Sequence, residues 1–210
     1  MNSFIKNAQW RYSTKKFDAS KKISEEDIET LKEAIQLSAS SYGLQPYKVL
    51  IIEDLELRKQ LQPAAWGQSQ IVDASHVIVF ANITNIGETE IDSYLHHVSK
   101  TRQIAIENLK GYGDFMKSKI TALPSENKNI WTSKQTYLAL GNLLNAAAEM
   151  NIDVTPMEGF DVNQVNDILG LEKLGLNASL IATIGYRHEA DDTQHYTKVR
   201  KSKEELFINL

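Results

Sequence analysis

Two basic clusters lie near opposite ends of the chain, and each has the chemistry to bind an anion. The first is Arg11-Tyr12-Ser13-Thr14-Lys15, which places two cations and two hydroxyls within five residues. In an extended backbone Arg11, Ser13 and Lys15 would point to one side, because side chains alternate with a period of two. The planar fork of the Arg11 guanidinium suits a phosphate. A solvated basic strand is the alternative explanation.

The second basic cluster lies in the C-terminal tail and comprises Lys198, Arg200, Lys201 and Lys203. Taken alone, it is an ordinary charged tail. Both clusters could close on one phosphate if the fold brings the chain ends together, and the sequence leaves that question open.

Two further segments offer small polar groups around a turn. Hydroxyl residues precede Gly43 and Pro46 at a predicted helix end, where they form an open polar ledge for a polyol or phosphate, or simply end the helix. The run Pro156-Met157-Glu158-Gly159-Phe160-Asp161 follows a predicted strand, so its backbone N–H groups could face a ligand. A plain tight turn is the alternative.

Several common catalytic and metal-binding motifs are missing from the sequence. There is no nucleotide phosphate loop, dinucleotide fingerprint, His-Glu-x-x-His or Gly-x-Ser-x-Gly motif. With no cysteine, the chain has no disulfide, thiolate metal site or cysteine nucleophile. His96 and His97 are adjacent and would point about 100° apart on a helix, which disfavours a shared metal. We therefore expect no metal site.

Composition places the chain among ordinary globular domains. Its 210 residues are 42% hydrophobic and 24% charged, with a net charge of -4 that disfavours nucleic acid as a partner. No apolar run approaches the ~18–20 residues that span a bilayer, and the N-terminus lacks the apolar stretch of a signal peptide. We expect a cytoplasmic protein without a membrane partner, folded as a single domain over residues 1–210.

Hydrophobic periodicity predicts the elements that must position these groups. Strands are predicted at Tyr47–Glu53, His76–Ile83, Ile152–Thr155 and Ala178–Tyr186, and a helix begins at Ser24. Residues 88–112 are predicted to form one long polar helix, residues 113–130 a loop or weak helix, and residues 132–151 the most buried helix. Helices and strands alternate irregularly along the chain, which predicts an α+β fold with helices on a small sheet. The apolar segment Leu206–Leu210 would cover either its own domain or a partner.

Together these segments resemble the nitroreductase family of FMN-dependent NAD(P)H oxidoreductases. The resemblance rests on the ordered motifs Arg11–Asp18, Ser40-Ser41-x-x-x-Gln45-Pro46, Asp73–His76 and Pro156–Asp161, and it runs from about residue 4 to the C-terminus. Within the family the chain looks most like the oxygen-insensitive NAD(P)H nitroreductase and dihydropteridine reductase branch. The resemblance implies a small, mainly antiparallel central sheet flanked by helices, with the C-terminal segment exchanged between the subunits of a homodimer that binds FMN at its interface.

The resemblance also implies which residues bind FMN. In the family, the Arg-x-Ser-x-Lys segment holds the phosphate and the flavin edge, and the basic tail contacts the phosphate. The partner subunit contributes the ledge, and the Pro-x-Glu-Gly loop points the glutamate backbone N–H at flavin N5. The positions carried over are Arg11, Tyr12, Ser13, Lys15, Ala39, Ser40, Ser41, Gly43, Gln70, Gln135, Pro156, Met157, Glu158, Gly159, Lys201 and Lys203. Tyr42 and Trp66 are candidates to line the acceptor site, beside a mobile lid near Phe115-Met116, with simple packing as the alternative.

Three departures from the family pattern concern the flavin environment. Gly43 stands where Asn is usual, Gly67 and Gln70 stand where Asn and Lys are usual, and Lys203 stands where Arg is common. Gln70 replaces the usual Lys of the family, so a cation near flavin N1 and O2 is missing. We therefore expect a lower flavin potential, unless Arg11 or Lys15 compensates.

The implied activity is a ping-pong cycle on the cofactor. NAD(P)H would pass a hydride to flavin N5 and leave, and a small acceptor such as a nitroaromatic or a quinone would then be reduced. No side chain is expected to act as nucleophile or general base. The alternatives are a family member that reduces pteridines or enones, an FMN store or sensor without efficient turnover, and a basic-tailed interaction domain without flavin.

Overall fold

The structure is a computed structural model, and it describes residues 2–210. Within that range four strands form one antiparallel sheet in the order β1-β2-β4-β3. Their bounds are β1 (Tyr47–Ile52), β2 (His76–Ile83), β3 (Asp153–Met157) and β4 (Leu176–Gly185). The central strand β2 is buried along nearly its whole length, which explains why its sequence is apolar on both faces. The predicted antiparallel sheet and the α+β class are therefore confirmed.

Helices cover both faces of this sheet. Their bounds are α1 (Ser3–Trp10), α2 (Glu25–Gln36), α3 (Leu55–Ala64), α4 (Gln70–Asp73), α5 (Glu88–Arg102), α6 (Lys110–Ile120), α7 (Ser125–Glu149), α8 (Val162–Leu169) and α9 (Lys203–Leu206). On one face α2 and α7 bury Leu31 and Leu143 against Phe80. On the other face α3 and α8 bury Leu61 and Val165 against the same sheet.

The start of α2 follows the sequence prediction. The Ser24 hydroxyl accepts a hydrogen bond from the Asp27 backbone N–H at 3.1 Å, which caps the helix. Ile28, Leu31 and Ile35 then form its buried stripe. Helical spacing thus determines which face of α2 lies on the sheet.

The predicted single helix over residues 88–112 is wrong. The first helix, α5, ends at Arg102, because Gln103 adopts a left-handed backbone conformation with φ of 55°. A second helix, α6, begins at Lys110 and fills most of the stretch predicted as a loop, and α7 begins at Ser125 rather than at Thr132. Contacts between α5 and α6 stabilise this arrangement, with Met116 fully buried between them. Such tertiary packing has no signature in local periodicity.

Close packing of α6 on α5 depends on Gly113. A Cβ atom at this position would lie 2.6 Å from Leu95 Cδ1, whereas a Cβ at Gly111 in the same helix would meet nothing within 4 Å. Both substitutions to alanine add the same helix propensity. The difference between the unfolding free energies of the two variants therefore measures the cost of overpacking. We expect Gly113→Ala to be about 1–3 kcal/mol less stable than Gly111→Ala in urea denaturation. Equal stability of the two variants would contradict this packing.

Two kinds of feature are absent from the described part of the chain. Between residues 2 and 210, no helix combines the length and apolar character needed to cross a membrane. Over the same range, no group of His, Cys, Asp and Glu side chains is arranged to hold a metal ion.

Candidate functional site

The first basic cluster lies on an extended segment directly after α1. Thr14 is fully buried, and its backbone carbonyl accepts a hydrogen bond from the Thr155 hydroxyl at 2.6 Å. Tyr12 also turns inward, whereas Ser13 and Lys15 are exposed. The alternation predicted from the period of two is therefore present, and it leaves the polar side chains of Ser13 and Lys15 on the outer side.

An ion pair between the half-buried Arg187 and the buried Asp153 anchors the aromatic side of this segment. The Arg187 Nη2 lies 2.6 Å from Asp153 Oδ1, and the Arg187 Nε donates to the same carboxylate at 3.0 Å. The guanidinium carbon lies 4.2 Å from the centre of the Trp10 ring and 4.6 Å from that of the Tyr12 ring. Cation–π contacts on two rings fix where α1 ends and where the basic segment begins.

A second buried carboxylate, Asp191, binds the segment directly. Its Oδ2 accepts from the Tyr12 hydroxyl at 2.9 Å and from the Lys15 backbone N–H at 2.8 Å. Neither Asp153 nor Asp191 is among the site residues predicted from the sequence. For Asp153 a signal existed, since a carboxylate inside a predicted apolar strand requires a partner.

The two chain ends meet, which answers the question that the sequence left open. The Lys198 ammonium donates to the backbone carbonyl of Ala8 at 2.7 Å and to that of Arg11. Burial and the neighbouring charge of Arg200 lower the pKa of Arg11, and burial together with Arg11 and Arg200 lowers the pKa of Lys198. Within residues 2–210 no carboxylate forms an ion pair with any of these three cations. We call Arg11, Lys198 and Arg200 the cation cluster.

Lys201 and Lys203, the tail residues that the resemblance assigned to the phosphate, are exposed. Their side chains form no hydrogen bond or ion pair within the described range. The tail acts on Arg11 instead through Lys198, which donates to the Arg11 carbonyl, and through the neighbouring charge of Arg200, which helps to lower the pKa of Arg11. The assignment of Lys201 and Lys203 stays a prediction.

The Pro156–Gly159 loop presents backbone donors at the end of β3. The backbone N–H groups of Glu158 and Gly159 have no acceptor among residues 2–210. The loop is held from two sides, because the Tyr137 hydroxyl donates to Glu158 Oε1 at 2.6 Å and the Gln68 amide donates to the Gly159 carbonyl at 2.9 Å. Trp66 packs so closely on Gly159 that a Cβ there would lie 2.8 Å from its ring.

Gln70 offers an amide group beside this loop region. It is only 8% exposed, yet its side chain has no hydrogen-bond partner within residues 2–210. The preceding turn is left-handed at Trp66, with φ of 56°, and at Gly67, with φ of 73°. Gly67 therefore serves a backbone role, since Asn and Gly are the residues that adopt this conformation most readily.

The ledge over residues 39–43 contacts α7 through Gln135. The Ser41 backbone N–H donates to Gln135 Oε1 at 2.8 Å, and Ala39 and Gly43 are exposed. The Ser40 hydroxyl accepts from the Gln45 backbone N–H at 2.9 Å. A Cβ at Gly43 would lie 2.7 Å from the Tyr94 hydroxyl, so the usual Asn would require Tyr94 to move.

Aromatic rings surround the ledge. Tyr42 adopts φ of 57° and packs edge-on against Phe115 and Trp131, at 6.5 Å and 6.2 Å between ring centres. Phe115 is exposed, but Met116 is fully buried in the core between α5 and α6. Met116 therefore packs in the core of this part of the fold, and the mobile lid near Phe115-Met116 stays a prediction.

The candidate residues thus form two sets. The first set is the cation cluster, the segment Ser13–Lys15, Gln70 and the Pro156–Gly159 loop. The second set is the ledge with Gln135. Within residues 2–210 no hydrogen bond joins a ledge residue to the first set.

The hydrogen bond between Tyr137 and Glu158 predicts a pH dependence of stability. Burial, this hydrogen bond and the charge of Glu158 raise the pKa of Tyr137 from 10.0 to about 12. Its stabilising contribution is complete below pH 10, the unfolded value, and is lost as the pH rises towards 12. At pH 8 we expect Tyr137→Phe to be about 0.5–1.5 kcal/mol less stable than the wild type, with the difference narrowing above pH 10.

Chemical denaturation at several pH values measures this difference. Tyr196→Phe is the matched control, because Tyr196 is exposed and its hydroxyl forms no hydrogen bond within the described range. If the stability difference between Tyr137→Phe and the wild type stays constant above pH 10, the raised pKa of Tyr137 is contradicted.

Comparison with known proteins places this architecture in a family. The Nitroreductase family model matches residues 8–186. A protein of Staphylococcus epidermidis with the provisional name NAD(P)H nitroreductase is 36% identical over 216 residues, covering 99% of this chain and 97% of that protein. The major NAD(P)H-flavin oxidoreductase of Aliivibrio fischeri is 34% identical over 213 residues, covering 98% of each.

Solved structures share the fold. A nitroreductase-like protein of Streptococcus mutans has a TM-score of 0.86 at 19% identity, covering 100% of this chain and 99% of that one. A provisionally named nitroreductase of Exiguobacterium sibiricum, solved in complex with FMN, has a TM-score of 0.83 at 20% identity, covering 100% and 98%. From the family match and the identity to full-length relatives we conclude that the chain belongs to the nitroreductase family.

Proposed function

We propose that this protein is an FMN-dependent oxidoreductase that uses NAD(P)H to reduce a small organic acceptor in the cytoplasm. The observation that carries the proposal is the cation cluster of Arg11, Lys198 and Arg200, which has no carboxylate partner among the described residues. The proposal is also supported by two relatives named for NAD(P)H-dependent nitro or flavin reduction and by a structural neighbour that contains FMN.

The donor groups fit FMN in number and kind. Burial first, and then the neighbouring positive charges, lower the pKa values of Arg11 and Lys198, and a phosphate dianion would counter both effects by pairing with these cations. The unpaired amide of Gln70 and the two free N–H groups of the Glu158–Gly159 loop are suitable donors for the polar edge of a flavin. These donors are accessible to solvent and bind no other group of the described chain, so a polar ligand could accept from them.

When bound, FMN supplies the hydride and electron transfer between NAD(P)H and the acceptor. The protein's part is to bind and orient. Arg11, Lys198 and Arg200 would hold the phosphate, and Ser13, Lys15 and Gln70 would contact the polar flavin edge. Tyr137 fixes the Glu158 side chain, which holds the loop's free N–H groups in one orientation. No nucleophile or general base is required.

The aromatic groups favour a flat acceptor. Tyr42 and Phe115 present ring edges beside the ledge, and Trp66 lies exposed over Gly159. Stacking on such rings suits planar aromatic molecules. We therefore propose nitroaromatics and quinones as electron acceptors. NAD(P)H and the acceptor would occupy the same binding site in turn.

A second subunit would complete the site by adding the ledge and Gln135 to the first set. Strand β1 is an edge strand, and a cavity of about 890 Å³ between β1, α2 and α5 is lined by Ile35, Val49 and Ile51. The segment Leu206–Leu210 is apolar and exposed, with an extended backbone at Phe207. An unpaired edge and an unpaired extended segment support exchange of this segment between subunits of a homodimer.

A homodimer predicts a mass in solution that light scattering can measure. Light scattering at micromolar concentration is expected to give close to twice the chain mass of 23.7 kDa. The double variant Phe207→Asp/Ile208→Asp is expected to shift the mass towards the single chain, because burying two carboxylates in an apolar groove is costly. Leu55→Asp, at an exposed leucine elsewhere, serves as the control. A wild-type protein with the mass of one chain would contradict the shared site.

Steady-state kinetics of the FMN-loaded protein test the reaction itself. NADH or NADPH is varied at several fixed concentrations of a nitrobenzoate or a benzoquinone, and parallel reciprocal plots are expected. Intersecting plots would contradict alternating occupancy of one place. FMN binding without oxidation of NADH or NADPH would contradict the oxidoreductase proposal and favour an FMN store or sensor. A pteridine or an enone in place of the quinone distinguishes the remaining family activities.

A further inference from the structure

We infer that Asp191 is a positioning residue for phosphate binding, because a single buried carboxylate joins the two basic segments into one cation cluster. The inference rests on the proposed binding of FMN and assigns Asp191 no contact with the cofactor. Nothing in the sequence singles out Asp191, which is one of two adjacent aspartates near the C-terminal tail.

One oxygen of Asp191 binds the N-terminal segment. Asp191 Oδ2 accepts from the Tyr12 hydroxyl at 2.9 Å, from the Lys15 backbone N–H at 2.8 Å and from the Lys16 backbone N–H at 3.2 Å. These bonds fix the extended backbone that carries Arg11, Ser13 and Lys15. The direction of the outward side chains follows from this fixed backbone.

The other oxygen binds the start of the tail. Asp191 Oδ1 accepts from the Thr193 backbone N–H at 3.1 Å and from the Thr193 hydroxyl, which caps the short 3₁₀ turn over Asp192–His195. The chain leaves this turn towards Lys198 and Arg200. Lys198 then donates to the carbonyls of Ala8 and Arg11, so both attachments of the tail lie on the same N-terminal segment.

The Asp191 carboxylate joins the N-terminal segment to the tail without neutralising the cation cluster. Asp191 is only 3% exposed, and its hydrogen bonds come from backbone N–H groups and hydroxyls rather than from an Arg or Lys side chain. Burial alone would raise the pKa of Asp191, but hydrogen bonds from Thr193, Lys15, Tyr12 and Lys16 outweigh it and lower the pKa. The charges of Arg11, Lys198 and Arg200 therefore stay available to an anionic ligand.

Replacing Asp191 with asparagine would break this arrangement. All described partners of both oxygens are donors, so an amide NH₂ at either position would face donors instead of accepting from them. We expect Asp191→Asn to weaken FMN binding by about tenfold or more, a loss typical of a misplaced charge-assisted hydrogen bond. Riboflavin lacks the phosphate, so its affinity should stay close to that of the wild type.

The experiment compares Kd for FMN and for riboflavin by quenching of flavin fluorescence, with each ligand added to flavin-free protein. Asp192→Asn is the matched control, because it removes the same charge one residue away at an exposed position. The expected result is a fall in the preference for FMN over riboflavin in Asp191→Asn and an unchanged preference in Asp192→Asn. A purely structural role would weaken both ligands alike and leave the ratio unchanged, which would overturn the inference.

Tyr12→Phe keeps the test decisive if Asp191→Asn does not fold. It removes one hydrogen bond to Asp191 and keeps the ring over Arg187, and a smaller fall in the same ratio is expected. An unchanged ratio in Tyr12→Phe would then overturn the inference. A wild-type protein that binds neither flavin would refute the proposed function itself, whereas one that binds both equally would refute phosphate recognition by the cation cluster.

Discussion

Arg11→Gln is expected to weaken FMN binding by about 10- to 100-fold, because charge-assisted hydrogen bonds to a phosphate contribute about 1.5–3 kcal/mol. Of the three cations in the cluster, Arg11 alone combines a planar guanidinium fork with partial burial. Removing it leaves Lys198 and Arg200, so binding should be weakened rather than abolished. Isothermal titration of the flavin-free protein with FMN measures the effect.

Lys6→Gln is the matched control for Arg11→Gln. It removes the same charge from the exposed surface of α1, where Lys6 forms no ion pair within the described range. Raising the salt concentration should reduce any long-range contribution of either charge, because mobile ions screen exposed charges. An Arg11→Gln protein that binds FMN as tightly as Lys6→Gln would contradict the placement of the phosphate.

Asp153→Ala is expected to lower the free energy of unfolding by about 2–3 kcal/mol, because the donors of the half-buried Arg187 lose their charged acceptor. Asp153 is 3% exposed and accepts from the backbone N–H, Nε and Nη2 of Arg187. Without it, the guanidinium between Trp10 and Tyr12 keeps its charge and loses its counterion. The end of α1 should then loosen, and FMN affinity should fall as well.

Urea denaturation measures the loss of stability in Asp153→Ala, with Asp167→Ala as an exposed control that should change stability by about 0.5 kcal/mol or less. The double variant Asp153→Ala/Arg187→Met should be more stable than Asp153→Ala alone, because it leaves no uncompensated charge. If the single variant unfolds within about 1 kcal/mol of the wild type, the ion pair does not stabilise the fold as inferred.

Periodicity predicted the sheet well and the helices around it unevenly. The β-branched content predicted the strands, and the helix-capping residue Ser24 indicated where α2 begins. The division between α5 and α6 could not be predicted, because it depends on a left-handed Gln103 and on contacts of Gly113 with Leu95. The additional first turns of α7, which begins at Ser125, make tertiary contacts that periodicity does not reveal, such as the hydrogen bond from the Asn82 amide to Asn129 Oδ1 at 2.7 Å.

The candidate site was predictable in its parts but not in its assembly. The order of motifs identified the family, and the period of two placed Ser13 and Lys15 on one side. The meeting of the two basic clusters depends on Asp191, which accepts three hydrogen bonds from Tyr12, Lys15 and Lys16, far away in sequence. Such contacts leave no local pattern, and the hydrogen bond from Lys198 to the Arg11 carbonyl is likewise visible only in the structure.

The most direct test of the central claim is the visible spectrum of the FMN-reconstituted protein before and after NADH or NADPH is added without oxygen. The account predicts a bound-flavin band at ~450 nm that bleaches on addition and returns when a quinone is supplied. A band that persists would contradict the oxidoreductase function while leaving FMN binding intact. The absence of any band after reconstitution would contradict the cofactor assignment itself.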